Sequence, residues 1–146
     1  MFAIIHRYIS AARRWLERHV VILLIVGWIA WDVSTAAAYI DGAPKQLQAA
    51  EHLLHVPIWL AWALAAALLA IGMLIPTKRG VKWRNAAASI RGLGLAINAG
   101  LLGMWGLEFL SADVERGWVS AKNYVFLTFV ALHHGWIISK YSMREG

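Results

Sequence analysis

Four stretches of the chain stay apolar for twenty residues or more: Val20 to Tyr39, Val56 to Ile75, Ala86 to Leu110 and Val119 to Ile138. At 1.5 Å per residue each makes a helix of about 30 Å or more, the thickness of a bilayer's hydrocarbon core. Pro57 falls in the first turn of the second stretch and Pro76 follows its last turn, so both mark helix ends. The connections are short, and neighbouring spans therefore run antiparallel. The pattern predicts an all-α membrane protein: an antiparallel four-transmembrane-helix bundle over 20–138, preceded by a short N-terminal amphipathic helix and followed by a tail over 139–146.

Within residues 1–19, Phe2, Ile5, Ile9, Ala12, Trp15 and Leu16 recur at helical spacing, with Arg7, Arg14 and Arg18 elsewhere on the wheel. That arrangement suits a helix lying in the membrane interface, and equally a cytoplasmic extension of the first span. Between Pro44 and His55 a shorter amphipathic pattern sets Leu47, Leu53 and Leu54 against Gln46, Gln48 and Glu51. Arg13 to Arg18, the apolar run and the Ala36-x-Ala38 pair imitate a secretory signal. The long leader and the bulky Trp28 and Trp31 argue for an uncleaved span.

Composition strengthens the membrane reading. Of 146 residues 60% are hydrophobic, and mean hydropathy is +0.57, which excludes a water-soluble enzyme. The absence of cysteine excludes disulfides, thiolate metal sites and cysteine nucleophiles. The net charge of +6 is unevenly placed. Arg7, Arg13, Arg14 and Arg18 precede the first span; Lys78, Arg79, Lys82 and Arg84 lie between the second and third, with Arg91 near the start of the third; Lys140 and Arg144 follow the fourth. Only Lys45, Arg116 and Lys122 fall on the other side. The positive-inside rule then makes both termini and the middle loop of this multi-pass protein cytoplasmic. Anionic lipid accounts for the basic loop, so no nucleic-acid partner is expected.

Polar residues inside the spans are few: Asp32, Asn98, Glu108, Lys122, His133 and the adjacent His134. Such groups are expensive in lipid and should face the bundle, a watery cavity or another subunit. Glu108 and Lys122 lie near the outer boundary, where they can reach headgroups. Asp32, about 10 Å deep at helical rise, is too short to do so. It is the first functional candidate, as a bundle-internal hydrogen-bond partner or a pore-facing carboxylate. An indole N–H from Trp28, Trp31, Trp62 or Trp105 is a natural donor to it. The nine tryptophans otherwise follow the aromatic-belt pattern. In the third span Gly92, Ala96, Ala99, Gly103 and Gly106 form a small-residue stripe, suited to close helix packing inside the monomer or to a homo-oligomer contact.

His52 and His55 are three apart and His133 and His134 adjacent, but zinc needs three or four ligands and bis-histidine haem needs facing imidazoles at one depth. Only His19 could approach His133. Neither cofactor nor metal is expected. No P-loop, dinucleotide fingerprint, nucleophile elbow or HExxH pattern occurs, and the chain is not expected to be an enzyme.

The stretches His55-Val-Pro-Ile-Trp-Leu-Ala-Trp, Arg91-Gly-Leu-Gly-Leu-Ala, Trp105-Gly-Leu-Glu and Arg116-Gly-Trp-Val-Ser-Ala resemble the small four-span membrane proteins encoded by actinobacterial bacteriophages, over about residues 50 to 138. Some members are called holins, and many are encoded near lysis genes. The resemblance implies a host cytoplasmic membrane and suggests a holin-like permeabilising role during lysis. The alternative is a non-enzymatic interaction protein, a superinfection-exclusion factor or lysis accessory that binds another phage or host membrane protein.

Overall fold

The computed structural model describes residues 2–44, 48–112 and 114–144, with side chains described from His19 onward except at 49, 50, 54, 112, 114–116 and 140–144. Among these residues every regular element is helical: α1 (Phe2–Ala38), α2 (Gln48–Leu54), α3 (Ile58–Leu74), a 3₁₀ turn (Thr77–Arg79), α4 (Val81–Ala112) and α5 (Val114–Arg144). The N-terminal segment and the first apolar stretch are thus one uninterrupted helix. The amphipathic stripe expected from Phe2 to Leu16 falls on side chains outside the described ones.

Element boundaries have local causes. Pro57, at φ −57° and ψ 135°, stands immediately before α3, and Ile75 turns extended ahead of Pro76. The first backbone N–H of α3, at Ile58, donates to Glu51 Oε1 of α2 at 2.9 Å, so the short helix caps the longer one. His55 leaves α2 in the left-handed region at φ 56°, with its Nδ1 2.6 Å from the His52 carbonyl. Gly80, at φ 128°, makes the corner into α4, a conformation that costs a side-chain-bearing residue steric strain.

Helix α4 organises the packing. It runs against α5 along much of its length and against α3, while α1 packs on α3 and touches α5 only lightly. Two glycines allow α3 and α4 to approach. A Cβ at Gly94 would lie 2.9 Å from Leu69 Cγ, and one at Gly72 would lie 2.5 Å from Arg91 Cγ. At the α4–α5 hairpin, a Cβ at Gly117 would collide with the Phe109 carbonyl.

The largest fully buried side chains are Trp62, Trp105, Ile25, Ile58, Leu69, Leu95, Leu102 and Ile138, together with Asn98 and Asp32. Aromatic rings fill the end of the bundle near Tyr39. Trp105 lies 5.0 Å from Trp62, 5.3 Å from Tyr39 and 5.5 Å from Tyr124 between ring centroids. The outward faces are apolar as well: Ile22, Val26 and Val33 on α1, Leu60, Leu64 and Ile71 on α3, Leu93 and Leu107 on α4, and Phe126, Phe129 and Leu132 on α5 are exposed.

By length and composition two helical segments among the described residues can cross a membrane, His19–Ala38 and Val81–Ser111; Ile58–Leu74 is apolar but shorter. At helical rise the last of these is about 25 Å long.

The small-residue stripe expected on α4 divides between two faces. Ala99 and Gly106 are buried, and a Cβ at Gly106 would meet Val125 at 3.2 Å and the Ala121 carbonyl at 3.4 Å. Gly103 faces Thr128 at ordinary contact distance. Gly92 has nothing within 4 Å of a built Cβ, and Ala96 is exposed. The helix contact is therefore kept by the C-terminal members of the stripe, Ala99, Gly103 and Gly106, and left by Gly92 and Ala96 at its N-terminal end.

Candidate functional site

Asp32 sits on the interior face of α1, one turn after Trp28, and the backbones of α1 and α4 make little contact. The side chains nevertheless meet across the interior: Asn98 of α4 donates Nδ2–H to Asp32 Oδ2 at 3.0 Å. Its second amide hydrogen goes to the Gly94 carbonyl at 3.2 Å, one turn back along α4. Both side chains are fully buried, at 0% exposure. Two residues selected from sequence as isolated intramembrane polar groups are therefore one site.

The pair is incompletely satisfied. Asp32 Oδ1 and Asn98 Oδ1 are both buried without a hydrogen-bond partner, as are the indole Nε1 atoms of Trp62 and Trp105. A buried acceptor stripped of water and given no donor costs about 1 to 3 kcal/mol. Among the described side chains these two oxygens and Glu108 Oε2 are unmet acceptors, and the two indoles unmet donors, inside an otherwise apolar bundle. Such orphans mark a place for a small polar guest or a proton.

One turn before Asp32, Trp28 donates Nε1–H to His134 Nδ1 at 2.9 Å. The rings meet edge to face at 6.0 Å between centroids. This bond fixes the neutral imidazole with its hydrogen on Nε2. Beside it an apolar cleft of about 260 Å³ follows the α1–α5 seam, lined by Leu23, Gly27, Trp31 and Leu127 among others. The indole donor expected to serve Asp32 is therefore used elsewhere or unpartnered: Trp28 serves His134, Trp31 is 41% exposed, and Trp62 and Trp105 serve no acceptor. Asn98 takes that role because its amide projects from the opposite helix at the carboxylate's own level.

The remaining polar residues stand apart. Lys122 and His133 are exposed and Glu108 is half-buried. His133 stacks on Trp136 at 5.7 Å, on the outside of α5. His134, not His133, is the histidine that enters the bundle, and the seven-residue α5 period from Leu127 through His134 was the available signal. Arg91 was read from sequence only as topological charge. It is 7% exposed and donates Nε–H to the Ala87 carbonyl at 3.0 Å. Beneath it, Gly72 leaves the room its side chain occupies.

No described group of three or more His, Asp or Glu side chains is arranged to hold a metal ion. No protein-family model matches the chain, and no curated protein or solved structure matches it.

Proposed function

We propose that the protein is a four-span integral membrane protein, both of whose termini face the cytoplasm, and that it permeabilises a host cytoplasmic membrane in the manner of a holin. The observation that carries the membrane part is the inverted distribution of polarity: Asp32, Arg91 and Asn98 are buried while large aliphatic and aromatic side chains cover the outside. A water-soluble bundle of this size keeps exposed apolar patches to a few hundred Å² and leaves its charges outside. In lipid the outward Ile22, Leu64, Leu93 and Phe129 are solvated, and the polar groups turn inward. Helix α5 completes the fourth span by packing along α4 and presenting Phe126, Phe129 and Leu132 to the chains.

A permeabilising role is supported by where the polar groups stand. Asp32, Asn98 and His134 turn inward from α1, α4 and α5, and α1 and α5 touch only lightly. Separation there opens to water a carboxyl on α1 and, across from it, an amide on α4 and an imidazole on α5, the polar lining a water-filled passage needs. The closed bundle is then the inert form, and assembly of opened copies makes the lesion.

The test is inducible expression in bacteria with membrane potential followed continuously. The expected result is a potential that holds while protein accumulates and then collapses abruptly. An intact potential at full membrane accumulation would overturn the permeabilising role and leave a binding role in its place.

A further inference from the structure

The two orphan oxygens at the centre of the bundle belong to the same hydrogen-bonded pair. Asn98 spends both amide hydrogens, one on Asp32 Oδ2 and one on the Gly94 carbonyl. What is left, Asp32 Oδ1 and Asn98 Oδ1, is two acceptors with no donor between them. Turning the amide over only exchanges which atoms are unmet, because the carboxylate has no hydrogen to give.

We propose that Asp32 and Asn98 form a proton-binding site, in which one proton on Asp32 Oδ1 is donated to Asn98 Oδ1 and closes a two-bond ring between carboxylic acid and amide. A single hydrogen then satisfies both orphan atoms. It also removes an uncompensated negative charge from an apolar interior, where an isolated ion is far more costly than a neutral polar group. Competing occupants fit less well. An alkali ion needs several oxygen ligands, and the neighbouring backbone carbonyls are committed to helices. A water molecule can donate to both oxygens but leaves the charge in place.

Among the described side chains of the packed elements nothing titratable opposes this assignment. Helix α3 has no titratable side chain from Ile58 to Leu74. On α4 the nearest are Arg91, seven residues before Asn98, and Glu108, ten after it. On α5 they are Tyr124, against Trp105, and His134, held by Trp28. Release of the proton to water leaves a carboxylate facing Asn98 Oδ1, a repulsive pair of acceptors. The bundle then admits water or parts at the α1–α5 seam.

The site belongs to the closed bundle and stands whether or not the protein permeabilises membranes, so the test uses purified protein in lipid nanodiscs. Infrared difference spectra between wild type and Asp32→Asn should show, at neutral pH, the carbonyl stretch of a protonated carboxylic acid. Raising the pH should abolish that band and lower the thermal stability of the wild type. Asp32→Asn, which can close the same ring as an amide pair, should keep its stability across the range. A carboxylate band from Asp32 at neutral pH would overturn the proposal, as would identical stability profiles for the two proteins. Wild-type stability that follows sodium at constant pH and ionic strength, without the acid band, would assign the site to a metal cation and equally overturn it.

Discussion

Trp28 and His134, 106 positions apart in sequence, join the first and last helices of the bundle through one hydrogen bond of 2.9 Å. They do so at the seam where α1 and α5 have little else in common. A bond between neutral groups contributes about 0.5 to 1.5 kcal/mol, and interhelical bonds in membranes fall toward the low end of that range. Where backbone contact is sparse, even this much weighs heavily on whether the seam stays shut.

Trp28→Phe keeps the ring's bulk and removes the donor; His134→Phe removes the acceptor. Each should lower the free energy of unfolding in detergent by about 1 kcal/mol. The double variant should lose less than the two losses added, because the two changes delete one shared bond. Fully additive losses in the cycle would mean that the bond contributes nothing to the fold. If the seam opens during permeabilisation, Trp28→Phe should also advance the collapse of membrane potential.

Two glycines six residues apart on α4 should respond oppositely to one extra methyl group. At Gly94 the new Cβ meets Leu69 Cγ at 2.9 Å and the Ala65 carbonyl at 3.2 Å; at Gly100 it meets nothing within 4 Å. Gly94→Ala should therefore cost about 1 to 3 kcal/mol by forcing α3 away from α4. Gly100→Ala should be neutral or gain up to about 1 kcal/mol from helix propensity. Thermal unfolding of both variants side by side decides it, and equal melting temperatures would remove Gly94 from the α3–α4 contact.

At the polar pair, Asp32→Leu leaves the Asn98 amide with an unmet hydrogen and an unmet oxygen, and should cost about 1 to 3 kcal/mol. Asn98→Leu strips Asp32 of the amide donor it holds and should cost at least as much. Asp32→Asn should retain near-normal stability at neutral pH, since either amide can donate to the other. Denaturation of the three variants under one set of conditions tests the order. Wild-type stability in Asp32→Leu would mean that the carboxyl has no structural role.

The apolar lengths and the flanking prolines made the helices legible, because hydrophobic run length and helix punctuation are local properties. The observed α3 begins and ends within two residues of the expected Val56 to Ile75 stretch. Asp32 and Asn98 were legible one at a time, as costly polar residues. Their pairing was not, since it depends on how α1 and α4 are rotated about their axes, and 66 positions of chain separate them. The same ignorance of rotation hid the contact glycines. Gly72 and Gly94 lie off the four-three-four-three pattern, and what makes them necessary is a particular neighbour, Arg91 or Leu69. Continuity of α1 from Phe2 is one of the two readings periodicity allowed for residues 1–19, and periodicity alone does not choose, because an amphipathic segment and an apolar one can share a helix without sharing a surroundings.

The proposed orientation rests on charge, because eleven of the fourteen basic residues lie on the side assigned to the cytoplasm. The fold supplies two positions that read it out. Thr77 opens the 3₁₀ turn just before α4, and Ser111 lies exposed at that helix's far end. At helical rise they are about 45 to 50 Å apart, more than the thickness of the hydrocarbon core. The chain has no cysteine, so Thr77→Cys and Ser111→Cys each introduce a single reactive thiol. In intact cells an impermeant maleimide should label position 111 and leave 77 untouched until the membrane is permeabilised. Labelling at 77 alone would invert the topology. Labelling of both in intact cells, before any loss of potential, would mean that α4 does not cross the bilayer, and the four-span arrangement would fall with it.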